Sequence, residues 1–184
     1  MTAVTAGRCT EGTGLAFELP DGWWSLDVRG PRLADRLDQL LRDALAPNMS
    51  AEARERVRAS VTRLAAQGAH CLLLRPAAGA DGVAVTAGVF ALPPFRVPGA
   101  DLYRALDARG EAVALGDLDG VPIVSMVRRV PPGRAGAIAI LQITYLVCAG
   151  GGSVLLTFAA ADEVEPGRVI REVARIVSAA RVVR

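Results

Sequence analysis

Residues 17–28 read FELPDGWWSLDV, and they hold both tryptophans of the 184-residue chain side by side. Pro20-Asp21-Gly22 is turn chemistry: proline presets one backbone angle, aspartate bonds its own backbone, and glycine tolerates positive φ. The flanking segments, LAFEL (15–19) and WWSLDV (23–28), alternate as strands do. Side chains of consecutive strand residues point to opposite faces, so Trp23 and Trp24 cannot share a pocket. The stretch therefore predicts a strand pair in a sheet that is covered on both faces, with one tryptophan toward each layer. The other reading leaves one of the two exposed as a binding anchor, because tryptophan is enriched at interaction hot spots.

Downstream, Gly30-Pro31 opens a helix in which Leu33, Leu37, Leu40, Leu41 and Leu45 fall at helical spacing, and Pro47 ends it. A second helix starts with Ser50 as N-cap, buries Val57, Val61, Leu64 and Ala65, and stops at Gly68. Strands are predicted over 70–76 and 82–93, joined by a hairpin loop. A proline-rich crossing leads to a short helix over 101–110. A meander follows, with strands over 111–116, 121–130, 137–148 and 153–161. Its first turn is the Gly116–Gly120 segment GDLDG. A terminal helix near 164–180 carries Ile170, Val173 and Val177 as its apolar stripe. Strands joined by short turns make an antiparallel sheet, and helices that come in blocks make the class α+β. About six strands are expected, with helices on both faces. Residues 1–13 read as a loose lead-in, and 14–181 as one domain.

Composition narrows the function. The chain is 52% hydrophobic and 22% charged, with a formal net charge of +2. That is a packed protein without the field that would draw nucleic acid or anionic lipid. All 21 basic residues are arginine. Without lysine there is no Schiff base, no pyridoxal-phosphate anchor and no Walker-type phosphate loop. With so much alanine, glycine and valine beside it, the arginine-only usage fits a GC-rich coding genome. Cys9, Cys71 and Cys148 are odd in number and widely spaced, so all three are expected reduced, with Cys71 and Cys148 inside the sheet. With no apolar signal core near the start and no membrane-spanning tract, a cytoplasmic location is expected.

The motifs that could carry chemistry read as structure. His70 is the sole histidine, and it has neither a nucleophile with an orienting acid nor further metal ligands in sequence. Gly151-Gly152-Ser153 enters a strand, not a helix, so it is no nucleophile elbow. Asp117-Leu118-Asp119-Gly120 opens like a calcium loop but lacks the later ligands. No metal or cofactor is expected. The arginines of the second helix, Arg54, Arg56, Arg58 and Arg63, read as a solvated face. Arg128, Arg129 and Arg134 cluster around a Pro-Pro-Gly loop and could meet an acidic partner.

The FELPDGWW segment resembles the Phe-x-x-Pro-x-Gly-Trp motif of the PsbP-like superfamily. That group includes the photosystem subunit PsbP, the Ran-binding Mog proteins and actinobacterial proteins of the LpqN type. The later order of elements is similar to theirs as well: a helical block, paired strands, the Gly116–Gly120 turn, then LLTFAAADE leading into a last helix. The resemblance implies a sheet flanked by helices and used for binding and assembly. It transfers no catalytic residue, since the motif is structural. Two functions are therefore carried forward. One is a non-enzymatic protein-binding or adaptor domain, accessory to an actinobacterial secretion or envelope system. Its candidate interaction residues are Trp23, Trp24, Leu37, Leu41, Arg128, Arg129 and Arg134, and it could form a homodimer through the helices at 31–67. The other is a small-molecule-binding domain or enzyme with a pocket between sheet and helices.

Overall fold

The computed structural model describes residues 15–29, 31–43, 50–75, 84–92, 99–108, 112–132, 139–149, 152–161 and 165–182. In chain order the elements are β1 (Leu15–Ala16), β2 (Trp24–Asp27), α1 (Leu33–Asp43), α2 (Ala51–Ala66) and β3 (Cys71–Arg75). Then come β4 (Val85–Leu92), α3 (Gly99–Asp107), β5 (Ala112–Leu118), β6 (Val121–Val130) and β7 (Ile140–Ala149). The chain closes with β8 (Gly152–Ala161), α4 (Pro166–Ser178) and β9 (Arg181–Val182).

A seven-stranded sheet in the order β2-β3-β4-β8-β7-β6-β5 forms the centre, one strand more than expected, and every neighbouring pair is antiparallel. The meander β5 to β8 returns so that its last strand lies beside β4, with Ala87 opposite Phe158. The class is α+β, as the element order predicted.

The sheet separates two cores. Leu73, Val85, Ala87, Val89, Leu156, Phe158 and Ile143 face α4, which supplies Val169, Val173, Ile176 and Val177. On the opposite face Leu26, Leu72 and Leu74 meet Leu37, Leu40 and Leu41 of α1 and Val61 of α2. α3 lies against β5 and β6, where Val124 and Leu146 are buried on the side away from α4. The stop of α2 is as the sequence indicates, while the Pro47 stop expected for the first helix lies outside the described residues. Gly68 has φ +89°, and the bonds Gly68 N–H to Ala65 O and Ala69 N–H to Leu64 O close α2 in a Schellman motif.

The tryptophans part as expected. Trp23 joins the core beneath α4, while Trp24 packs against the core beneath α1 and α2. The strand pair predicted around them is not formed. β1 is two residues long and pairs with β9, with Leu15 opposite Val182, whereas β2 pairs with β3. The Pro20-Asp21-Gly22 turn is present, closed by Trp23 N–H to Pro20 O at 3.1 Å with Gly22 at φ +82°. It redirects the chain instead of folding it back, and Pro20 has no N–H to give to a ladder.

A second boundary also moves. The Gly116–Gly120 segment is not a five-residue turn, because β5 continues to Leu118. Only Asp119 and Gly120 turn, with φ of +53° and +79°. Two positive φ angles in a two-residue loop make a type I′ turn, whose twist matches the flanking strands.

Cys71 and Cys148 lie in sheet strands as expected, but the expectation that all three cysteines are reduced fails. Cys71, 3% exposed in β3, is disulfide-bonded, and Cys148 is the free thiol among the described residues. Cys9 lies outside the described residues. Odd number and wide spacing do not preclude one bridge with one cysteine left over, and the reduced-thiol argument for a cytoplasmic location goes with the expectation. No helix among the described residues is long and apolar enough to cross a membrane.

Candidate functional site

Where α4 leaves the sheet near β5, a cleft of about 290 Å³ opens between them. Its floor is Ala114 and Gly116 of β5, Ile123 and Ser125 of β6 and Tyr145 of β7, with Ala174, Val177 and Ser178 of α4 as the wall. The alternation of β5 creates it: the two residues that face α4 here are small. Gly116 cannot easily grow, because a Cβ there would meet Ile123 Cγ2 at 3.1 Å.

The polar groups of the cleft are mostly committed to the domain's own backbone. Asp117 Oδ1 accepts from Gly120 N–H at 2.8 Å and stabilises the I′ turn. The Ser178 hydroxyl donates to Arg175 O at 3.0 Å, and that of Ser125 to Ala114 O at 3.5 Å. Tyr145 differs. It is 9% exposed, its ring stands edge-on to Phe158 at 6.1 Å, and its hydroxyl has no hydrogen-bond partner among the described residues. Burial pushes its pKa up, so at neutral pH it remains a neutral donor.

Above the cleft β5 ends the sheet. The I′ turn sets which of its backbone groups are used. Leu118 and Val121 close the hairpin as a hydrogen-bonded pair, so Gly116 with Ile123 and Ala114 with Ser125 follow as further such pairs. Val113, Leu115 and Asp117 sit at the intervening positions, and their N–H and C=O groups point outward. Pro122, opposite Asp117, fits this register, since its missing N–H would face β7, where the ladder starts only at Ile123.

The residues singled out in the sequence fall in different places. Trp23 is 3% exposed, and its Nε1 donates to Glu172 of α4 at 2.9 Å. Arg75 reaches the same carboxylate oxygen at 2.6 Å and lies 6.0 Å from the indole centroid. This cluster ties the segment before β2, the end of β3 and α4 together. Leu37 and Leu41 are 4% and 2% exposed, so their side chains are spent inside the core beneath α1. Trp24 is half-buried. Arg128 and Arg129 are exposed on β6, with Arg128 Nε donating to Gln142 Oε1 at 2.9 Å. Arg134 and Leu45 lie outside the described residues. His70 is half-buried at the start of β3, and its Nδ1 has no partner. No group of three metal-ligating side chains occurs among the described residues.

Sequence reading missed Tyr145, Ser125 and Ser178 because they belong to three elements and converge only after folding. Tyr145 did carry a local signal: in LQITYLVC it shares a face with Leu141, Ile143 and Val147, an aromatic hydroxyl in an otherwise apolar row.

Cys148 stands opposite Ser153 at the far end of β7. Burial pushes its thiol up, and Ser153 opposes this only in part. Alkylation by iodoacetamide in the folded protein should therefore show a pH midpoint above that of a free cysteine, and unfolding should restore the ordinary one. A native midpoint at or below the free value would contradict the burial argument.

No protein-family model matches the chain, and neither does any curated protein. Solved structures do. The solution structure of cyanobacterial PsbP (CyanoP) from Synechocystis sp. PCC 6803 is 16% identical, with a TM-score of 0.50 over 92% of this chain and 87% of that one. LpqN of Mycobacterium tuberculosis, involved in cell envelope biogenesis, is 11% identical, with a TM-score of 0.45 over 92% and 83%. A Bacteroides thetaiotaomicron VPI-5482 crystal structure is 8% identical with a TM-score of 0.48, and this chain, 93% covered, spans 46% of its length.

Proposed function

We propose that this chain, a PsbP-like fold, is a non-enzymatic protein-binding module. The observation that carries the reading is the state of the cleft. Its carboxylate and two of its three hydroxyls are bound to local backbone, and the remaining hydroxyl is a neutral phenol. Such a site can hold a group by shape and one hydrogen bond, but it has no activated nucleophile and no paired acid and base. The arginines of β6 add an exposed basic surface that an acidic partner would complement.

We place the module in an oxidising compartment, accessory to an actinobacterial envelope or secretion system. The Cys71 disulfide supports the compartment, since structural disulfides persist outside the reducing cytosol. The arginine-only composition supports the source. Self-association through the helices at 31–67 has less support, because Leu37 and Leu41 are already covered by their own chain.

Photo-crosslinking tests the reading. A photoreactive residue at Arg128 or Ala114 in cells, followed by mass spectrometry, is expected to trap one defined protein in repeated experiments, while native mass spectrometry of the purified chain gives the unliganded mass. A copurifying molecule of a few hundred daltons, with no crosslinked protein, would transfer the function to the small-molecule reading.

A further inference from the structure

We propose that the outer edge of β5 takes an extended segment of a partner protein as an added strand, one large side chain of which is seated in the adjoining cleft. The inference rests on the protein-binding reading and specifies the form of the partner.

The edge itself is unusual. Exposed edges are normally blunted by lysine, proline, bulges or very short strands. β5 runs for seven residues as AVALGDL, with one charge and no proline. That charge, Asp117, is turned to its own hairpin. Val113, Leu115 and Asp117 hold three donors and three acceptors outward, and no hydrogen bond among the described residues uses them. An extended backbone is the group that satisfies such a row, as in strand-addition complexes.

The cleft then selects the occupant. An added strand alternates its side chains, so every second one lies on the side of Ala114 and Gly116, over the cleft. A second copy of this chain paired through its own β5 would offer Ala112, Ala114 or Gly116 there, its Leu118 being buried in its own core, and would leave the 290 Å³ unfilled. A foreign segment with an aromatic side chain fills it. The apolar lining receives the ring, and the Tyr145 hydroxyl, without a partner of its own, bonds a polar tip. Tyrosine meets both demands, having an apolar body and a hydroxyl end.

The test uses the whole chain, immobilised, and a phage-displayed library of random twelve-residue peptides. Enriched peptides are expected to alternate, to carry an aromatic residue on the cleft side, and to protect the amides of Val113, Leu115 and Asp117 from hydrogen exchange. The amides of Ala114 and Gly116, already bonded to β6, should be protected with or without peptide. Leu115→Pro removes one outward N–H and leaves the β5–β6 ladder intact, since proline is tolerated on the open side of an edge strand. Ala114→Phe fills the cleft from within. Each should weaken peptide binding by about tenfold or more, with circular dichroism verifying the fold, while Arg56→Glu, on the exposed face of α2 at the other end of the sheet, leaves it unchanged. If Leu115→Pro fails to fold, Ala114→Phe and the exchange pattern still decide. No enriched peptide, or peptides that bind both variants unchanged, would overturn the inference. The protein-binding reading would survive that result if crosslinks still form at Arg128, and would fall with it if they do not.

Discussion

Replacing Trp23 by alanine should lower the free energy of unfolding by about 3–5 kcal/mol, the usual cost of truncating a buried aromatic residue. Three contacts are lost at once. The ring leaves its edge-on position 6.4 Å from Phe158. The indole no longer donates to Glu172, and the Arg75 guanidinium loses the ring beside it. Trp23→Phe separates these contributions: it keeps the ring in the core and removes the N–H, so roughly 1–3 kcal/mol is expected. Trp24→Ala should cost less than Trp23→Ala, because Trp24 is only half-buried at the margin of the other core. Guanidinium denaturation of the three variants is the measurement. Equal midpoints for Trp23→Ala and the native chain would remove Trp23 from the core argument altogether.

Loss of the Cys71 disulfide should cost a comparable amount, roughly 2–5 kcal/mol. The bridge ends in a cysteine of β3 that is only 3% exposed, so its loss leaves a polar group inside the sheet as well as a less constrained unfolded chain. The cleanest comparison is made in a Cys148→Ala background, which removes the free thiol and its exchange reactions. There, Cys71→Ser should show the lowered stability, and reductant should lower the parent to the same level while leaving Cys71→Ser unmoved. Alkylation of the denatured parent should spare Cys71 until reductant is added. Labelling of Cys71 without reductant would restore the reduced-thiol reading, and with it the cytosolic compartment.

Much of the architecture was legible. Period-two and period-3.6 patterns locate the main strands and helices, and Gly68, Ser50 and Asp119-Gly120 punctuate them with known backbone chemistry. What was not legible is pairing. The segment LAFEL has a strand pattern, but its partner is Arg181–Val182 at the other end of the chain. No local signal announces two residues of strand that pair across such a separation. The I′ turn was read too long because GDLDG holds two turn-forming pairs, and only tertiary pairing with β6 decides that Asp117 and Leu118 extend the strand. The candidate site was hidden for the same reason. Tyr145, Gly116 and Val177 carry no shared motif, and they meet because β5 is the last strand and α4 stops short of covering it. Nothing local in the sequence singles out Glu172. It becomes a junction only once Trp23 and Arg75 arrive from elsewhere.

β3 has a consequence for folding fidelity. Cys71, Leu72, Leu73 and Leu74 are all buried at 3% exposure or less, two on each side. In most antiparallel strands a slip by one residue throws polar side chains inward, and that penalty fixes the alignment. Here a slip exchanges apolar for apolar, so side-chain pattern alone does not discriminate between alignments of CLLLR. The ends must do it. At one end the Schellman closure of α2 and His70 N–H to Val89 O at 2.8 Å deliver the chain at a fixed phase. At the other, Arg75 meets Glu172 only when β3 is correctly aligned. An ion pair of modest worth to stability thus serves as a proofreading contact, scoring the one alignment in which the strand's far end finds its counter-charge.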